Sequence, residues 1–370
     1  MHLICNREEL LKGIQIVEAA VSSRVTLPVL ANILLETEKE SNRLKLVTTD
    51  LEIAVRCYVA TDIKKEGGVT IPAKKFANII KELPDKNDKI ELKVDEKNQI
   101  DIRAGKSHFV LFGTAIEQFP TLPGFVEEKA ITVETETMKE MIKKISFAAS
   151  MDDTRYILTG IYIIIESEKI IFVATDGKRL SYITRPAKGS KTISKAIIPS
   201  KATNELVRIL SIGDSNEIKI SITGNQASFQ TEDITLISRL LEGNFPNYEQ
   251  VIPKKCQQTI KVKSKDLLQA TRQVALLTQE KGGSVKFAFD KNLLNVSTKT
   301  QELGSADVEI EIDYSAPPLE IAFNHIFIID ILKNISEQEV IFEINGPIDA
   351  CVVKAVGDEN YLNVIMPMRV

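Results

Sequence analysis

The feature that most constrains this chain is that it repeats itself. A strand-forming run ends in Thr-Asp twice, in LKLVTTDLE with Asp50 and in IIFVATDGK with Asp176. A second strand runs into Pro and then an amphipathic stretch twice, in VTIPAKKFANIIKEL from Val69 and AIIPSKATNELVRIL from Ala196. Phe-Pro recurs at Phe119-Pro120 and Phe245-Pro246. These landmarks are displaced by 126, 127 and 126 residues, so one whole unit has been copied. A third, more diverged copy follows in LEIAFNHIFIIDILKNI, where Phe323 stands in the place of Pro72 and Pro199, 124 residues beyond the latter. A period this long belongs to a complete domain and not to a solenoid unit. The 370 residues then divide as 1–127, 128–252 and 253–370, each of ordinary domain size.

Each copy reads as a strand, a capped helix, several strands, a second helix and more strands. Asn6 precedes Glu9 by three residues and Thr137 precedes Glu140 by three, the spacing of a capping box; Ser264 is placed to cap the helix beginning Lys265-Asp266. Alternation marks strands over Lys89–Val94 and Glu217–Ile222, and Gly67-Gly68, Gly224-Asn225 and Gly282-Gly283 mark turns. The six helices are expected over 7–21, 73–83, 137–150, 200–211, 264–277 and 324–334. Two helices and about eight strands per copy define an α+β fold with helices packed on one face of antiparallel sheet. Aromatic residues are 6% of the chain and Trp is absent, so the core is expected to be mostly Ile, Leu and Val.

Several function classes fall away. No apolar run approaches the ~18 residues of a spanning helix. The first fifteen residues carry Arg7, Glu8, Glu9 and Lys12, unlike a signal peptide, so a cytoplasmic protein is expected. Cys5, Cys57, Cys256 and Cys351 form no CxxC pair, against a zinc ribbon or a disulfide framework. His2, His108 and His325 lie far apart in sequence, and neither GxxxxGK[ST] nor GxGxxG occurs, so no catalytic, metal or cofactor site is expected. Thr49-Asp50 and Thr175-Asp176 read as turns in which Asp bonds nearby backbone, and Asp152-Asp153 as a loop or helix terminus. The rival readings are a metal-dependent nuclease using Asp50, Asp152 and Asp176, and a protein scaffold without DNA contact.

Charge is informative once it is divided by position. The chain has 47 Lys plus Arg against 51 Asp plus Glu, a net charge of −4 that by itself argues against a generic nucleic-acid binder. The six expected helices nevertheless sum to +5, leaving −9 for everything else. A cationic surface made by helices attracts phosphates without reading bases. An anionic remainder discourages DNA from the wrong face.

The local motifs sharpen this. SSRVTLPVLANILLE (22–36), TTDLEIAV (48–55), TIPAKKFANIIKELP (70–84), DDTRYILTGI (152–161), VATDGKRL (173–180), FPNYEQVIP (245–253) and the terminal NVIMPMRV (363–370) together resemble the bacterial DNA sliding clamp family, the beta subunit of DNA polymerase III, along essentially the whole chain. The resemblance implies three clamp-type domains per protomer and a head-to-tail homodimeric ring with helices lining the hole. It implies a non-catalytic processivity factor that encircles and slides on double-stranded DNA. The ring would tether the replicative polymerase, the clamp loader and other proteins carrying a short linear motif.

By the same resemblance Arg24, Lys74, Lys75, Lys139, Lys143, Lys144, Lys201, Arg239 and Tyr156 would face DNA. The partner-peptide pocket would comprise Leu158, Thr175, Gly177, Lys178, Arg179, Leu180, Pro246, Val251, Ile348, Val364, Ile365, Met366, Pro367 and Met368. Methionine repacks easily, which suits a groove that accepts different peptides. Phe109, Leu276 and Leu277 would lie at the dimer junction. Lys178 stands where the family often has His, Ala350 where Ser is frequent, Val370 for Leu, Asp152 for Gln and Ile157 for a second aromatic residue.

Overall fold

A computed structural model of the protein describes residues 1–21, 27–84, 89–166, 168–189, 193–279 and 282–369. The first copy holds β1 (His2–Asn6), β2 (Asn32–Glu38), β3 (Arg43–Thr49), β4 (Ile53–Lys65), β5 (Gly68–Pro72), β6 (Lys89–Val94), β7 (Gln99–Ala104) and β8 (Ser107–Phe112). The second holds β9 (Ile131–Glu134), β10 (Gly160–Ile165), β11 (Lys169–Thr175), β12 (Arg179–Pro186), β13 (Lys188–Gly189), β14 (Ser194–Pro199), β15 (Glu217–Thr223), β16 (Gln226–Gln230) and β17 (Ile234–Arg239). The third holds β18 (Gln258–Lys263), β19 (Ser284–Asp290), β20 (Leu293–Thr300), β21 (Gly304–Glu311), β22 (Leu319–Asn324), β23 (Glu339–Ile344), β24 (Cys351–Ala355) and β25 (Tyr361–Ile365). The helices are α1 (Arg7–Val17), α2 (Ala73–Glu82), α3 (Thr135–Ser146), α4 (Ser200–Ile212), α5 (Ser264–Ala275) and α6 (His325–Lys333). Two helices per copy on antiparallel sheet is the expected α+β pattern, and the six helices keep a net charge of +5 with these bounds.

The strands pair across copies. One sheet runs β13-β9-β15-β16-β17-β4-β1-β6-β7-β8, with β2, β3 and β5 joined to it through β4. A second runs β14-β10-β11-β12-β25-β24-β23-β18, and a third is β21-β20-β19-β22. The chain accordingly forms two compact units. The first is 1–138 with 188–190 and 201–240; the second is 139–187 with 191–200 and 241–370. The middle copy therefore contributes strands to both units. Its β17 extends the first copy's β4 (Leu236 opposite Val55), and its β12 extends the third copy's β25 (Leu180 opposite Val364).

Several sequence expectations need local correction. Asn6 does cap α1, its Oδ1 accepting from the backbone N–H of Glu8 at 2.8 Å and Glu9 at 3.2 Å. Thr137, by contrast, lies inside α3, which begins two residues earlier. Ser264 is already the first residue of α5, and its buried Oγ has no hydrogen-bond partner among the described residues. The residue that matches Pro72 and Pro199 at the strand-to-helix junction is Asn324, one place beyond Phe323. Asn324 caps α6 by accepting from Ile326 N–H at 2.9 Å, a bond that proline cannot make. Helices α1, α3 and α5 also end earlier than expected, at Val17, Ser146 and Ala275.

The core is mostly aliphatic in the first copy, with Leu3, Leu10, Ile33 and Leu35 fully buried beside Phe76. The third copy is also mostly aliphatic but adds an aromatic cluster. Phe287, Phe289, Phe323 and Phe342 are all buried there, and the Phe287 ring lies 5.4 Å from Phe323 and 6.0 Å from Phe342. Few aromatic residues suffice for such a cluster when they are concentrated, each ring burying more area than an aliphatic side chain.

Candidate peptide-binding groove

The groove is built around the turn between β11 and β12. Asp176 Oδ1 accepts from the N–H groups of Lys178 at 2.9 Å and Arg179 at 3.0 Å. Thr175 Oγ1 donates to the Arg179 carbonyl at 2.6 Å and accepts from Gly177 N–H at 3.0 Å. This is the Asp-centred turn expected from the repeated Thr-Asp. Gly177 sits at φ +83°, where a Cβ is disfavoured, and a Cβ there would lie 3.0 Å from Arg155 Nη1. That Arg155 nitrogen donates to the Asp176 carbonyl at 2.6 Å. A bare backbone is thus kept open at the lip of the groove.

Arg179 secures the turn from behind. Its Nε donates to Asp176 at 3.1 Å, Nη1 to Asp330 of α6 at 2.7 Å and Nη2 to the Phe147 carbonyl at 2.5 Å. Its guanidinium lies 4.5 Å from the centre of the Phe327 ring and 5.4 Å from that of Phe147. Planar, multidentate and stacked, this is a site where lysine could not substitute. On the other side the chain end closes the groove. Met366 N–H donates to the Lys178 carbonyl at 3.0 Å, and Met368 N–H to the Ala322 carbonyl on β22 at 2.8 Å.

The resulting cavity, of about 290 Å³, is lined by Leu158, Thr175, Gly177, Lys178, Arg179, Leu180, Pro246, Asn247, Tyr248, Val251, Val364 and Met366. Ten of the fourteen expected residues are brought together. Ile365, Pro367, Met368 and Ile348 do not line it. Ile365 is fully buried, one place along β25 from Val364, so strand alternation sends the two side chains to opposite faces. Met368 has already moved on to the edge of β22, with Pro367 as the link, and Ile348 lies in an exposed loop. Asn247, Tyr248 and the supporting Arg155 were missed, although all three sit inside motifs whose neighbours were named. Val251 and Met366 remain 48% and 46% exposed, an apolar surface that water covers in the isolated chain. A larger cleft of about 780 Å³ lies between α5 and α6, but Lys263, Lys265, Asp266, Arg272, Lys333 and Glu337 line it, and charge at that density suits no apolar segment.

The expected cationic residues divide. Lys74 and Lys75 are exposed on α2, Lys143 on α3, and Arg239 at the end of β17. Tyr156 is 57% exposed. Lys201 is exposed but pairs with Asp50. Lys139 is half-buried, and Arg24 lies outside the described residues. Lys144 is a correction. It is buried, ion-paired with Glu140 at 2.8 Å and Asp358 at 3.3 Å, and its ammonium lies 4.9 Å from the centre of the Tyr361 ring, so it offers nothing to a phosphate. Arg185 joins the same cluster at 2.9 Å from Glu140 and 2.6 Å from Asp358. Burial raises the Glu140 and Asp358 carboxyls, but bonds and charge from Arg185 and Lys144 outweigh it and hold both below their ordinary values.

Of the expected dimer-contact residues, Phe109 is 39% exposed on β8, the edge of the first sheet, and Leu276 is 80% exposed just after α5. Leu277 is half-buried. The carboxylates of the nuclease reading are engaged locally: Asp50 and Asp176 in their turns, and Asp152 accepting from Thr154 N–H at 3.0 Å and Oγ1 at 2.7 Å. Among the described residues no group of three or more His, Cys, Asp or Glu is placed to hold a metal. No helix among them is long and apolar enough to cross a membrane.

Three related α+β domains that carry a peptide-sized apolar groove define a platform protein, one that works by holding other molecules. The comparisons name the platform. Descriptions of the DNA polymerase III beta subunit match in series, the N-terminal domain over 1–123, the central domain over 132–247 and the C-terminal domain over 249–369. The beta sliding clamp of Chlamydia pneumoniae is 32% identical over 370 residues, covering 100% of this chain and 99% of that one; the beta sliding clamp of Escherichia coli K12 is 31% identical, covering 100% of both. The crystal structure of a sliding clamp (DNA polymerase III subunit beta) from Pseudomonas aeruginosa bound to griselimycin superposes with a TM-score of 0.94 at 31% identity over 100% of both chains. The chain belongs to the DNA polymerase III beta-subunit family, the bacterial beta sliding clamps, which are non-catalytic processivity subunits.

Proposed function

We propose that two copies of this protein close head to tail into a ring around duplex DNA and that the groove beside Gly177 tethers the replicative polymerase, the clamp loader and other motif-bearing partners. Domain boundaries fall at 127 and 252 in this reading, and the ring works in the cytoplasm. The observation that carries it is the groove: an exposed apolar surface at a chain end, held open by a glycine and an arginine clamp. Its volume and lining suit a few apolar side chains from an extended segment.

Ring closure has a physical basis in the sheet edges. Strand β8 ends the first sheet with Phe109, Val110 and Phe112 exposed, and β21 ends the third sheet near exposed Leu276 and Leu303. Two different edges, one in the first copy and one in the third, make a heterologous contact, which gives a ring where the rotation between copies closes and a filament where it does not. Pairing also removes two edges that would otherwise invite aggregation. Lys74, Lys75, Lys143, Arg239 and Tyr156 then supply weak, sequence-independent attraction to phosphates and bases. Weak contact is sufficient, because a threaded ring is retained by topology while a tethered polymerase stays at high effective concentration.

The decisive experiment loads the protein on closed circular DNA and then linearises it. Release on linearisation is the expected result. Equal retention on circular and linear DNA would overturn the encircling mechanism.

A further inference from the structure

The groove does not stop at its lining. Leu180 and Val364 also belong to an apolar cluster with Ile164, Ile171 and Val173, against which Tyr162, Tyr182, Phe245 and Tyr248 pack half-buried. The four rings form a continuous set. Tyr162 stacks on Phe245 at 4.7 Å between centres, Tyr248 meets Tyr162 edge-on at 6.3 Å, and Tyr182 lies tilted 6.0 Å from Tyr248. Tyr248 belongs to both the groove and this shelf, so a segment leaving the groove in that direction passes onto aromatic rings.

The electrostatics of the shelf are acidic. Burial first, and then Glu249, push the Tyr248 hydroxyl up to about 12, with Tyr182, Tyr162 and Glu166 adding to it. Tyr182 is likewise raised, by burial chiefly, with Glu166 and Glu249 adding and Lys169 opposing. Lys169 is itself engaged by Glu166 at 3.0 Å. Glu166 and Lys169 thus neutralise each other, and Glu249, next to Tyr248 in the chain, is the carboxylate that gives a set of electron-rich rings its acidic character.

We propose that this shelf is a specificity subsite continuous with the groove, and that it takes an Arg or Lys side chain flanking the apolar core of a partner segment. A cation over tyrosine rings gains quadrupole attraction, and Glu249 supplies the complementary charge. An apolar flank gains only area there, and an acidic flank meets repulsion. The proposal rests on the peptide-groove reading above and adds a charge preference to it.

The test uses the intact full-length protein and three labelled peptides sharing one apolar core, flanked by Arg, Leu or Glu, with binding read by fluorescence anisotropy. The Arg peptide is expected to bind about three- to tenfold more tightly than the Leu peptide, with the Glu peptide weakest and the Arg advantage shrinking as salt rises. Tyr182→Leu and Glu249→Gln should each remove most of that advantage while the Leu peptide binds as before. Glu249→Gln touches only an exposed carboxylate, so it keeps the test readable if Tyr182→Leu misfolds. An Arg advantage that is absent, or that survives Glu249→Gln, overturns the shelf alone. Failure of all three peptides to bind overturns the groove reading and the shelf with it.

Discussion

Two turns, 126 residues apart, carry one hydrogen-bond scheme and serve different ends. In the first unit Thr49 Oγ1 donates to the Ile53 carbonyl at 2.9 Å and accepts from Leu51 N–H at 3.0 Å, while Asp50 Oδ1 accepts from Glu52 and Ile53 N–H. In the second unit Thr175, Asp176, Gly177, Lys178 and Arg179 repeat those bonds place for place. The scheme is structural, since it survives in both copies. What differs are the side chains it presents. Where the second turn has Gly177, the first holds Leu51 in the same left-handed conformation at φ +75°. Where the second ends on the Arg179 clamp, the first ends on Ile53, 2% exposed. One turn is finished by hydrophobic burial, the other by ions that leave an apolar groove free for a visitor.

The largest expected effect comes from breaking the ionic finish. Arg179→Ala removes bonds to Asp176, Asp330 and the Phe147 carbonyl and leaves two half-buried carboxylates without their cation. Stability should fall by about 3 kcal/mol, measured by urea unfolding, and peptide binding should fall with it. A loss below about 1 kcal/mol would mean that the turn holds itself and the clamp is incidental.

Next comes making the second turn resemble the first. Gly177→Leu places a Cβ at φ +83° and 3.0 Å from Arg155 Nη1, at a backbone cost of about 1–2 kcal/mol. Its side chain would also stand at the groove lip. Peptide affinity should drop at least about tenfold, with a smaller loss of thermal stability. Unchanged affinity would show that bound segments do not pass Gly177.

How much of this was legible follows from the same pair of turns. The Thr-Asp repeat announced the turn, because short polar side chains bonding to backbone two and three residues on form a local code. The groove's membership was legible through motifs. Its limits were not, since whether Val364 or Ile365 faces the groove depends on strand parity, and Met368's position on its bond to Ala322. Lys144 failed for a different reason. A lysine on a cationic amphipathic helix reads as solvated, and nothing local reveals that Asp358, 214 residues away, lies beside it. The third junction was assigned to Phe323, one residue short of Asn324, because proline dominates a pattern while an asparagine cap makes the same junction less visibly.

A smaller effect separates the units by pH. Glu140 and Asp358 have folded values below their unfolded ones, so their stabilisation is full above the unfolded carboxylate range, near pH 4, and is lost as pH falls through the depressed folded values. Hydrogen exchange followed downward from pH 7 should therefore show protection around α3 and the β24–β25 turn weakening below about pH 4. Asp358→Asn should weaken that protection already at neutral pH. Uniform loss in both units would deny the ion cluster a separate role.

The smallest expected effect is the reverse exchange, Leu51→Gly. Relief of the left-handed leucine favours the variant by about 1–2 kcal/mol. Glycine's added unfolded-state freedom opposes it by about 0.5–1 kcal/mol. Loss of a side chain that is 42% exposed, and so slightly more than half buried, opposes it by about another 1 kcal/mol. The terms nearly cancel, and urea unfolding should show a change below about 1 kcal/mol. Calorimetric stoichiometry should also stay at one peptide per protomer, because a bare backbone alone does not build a groove: Ile53, buried, cannot replace Arg179. A second peptide bound by Leu51→Gly would mean that the two turns differ by this one side chain, and that Leu51 is what closes the first.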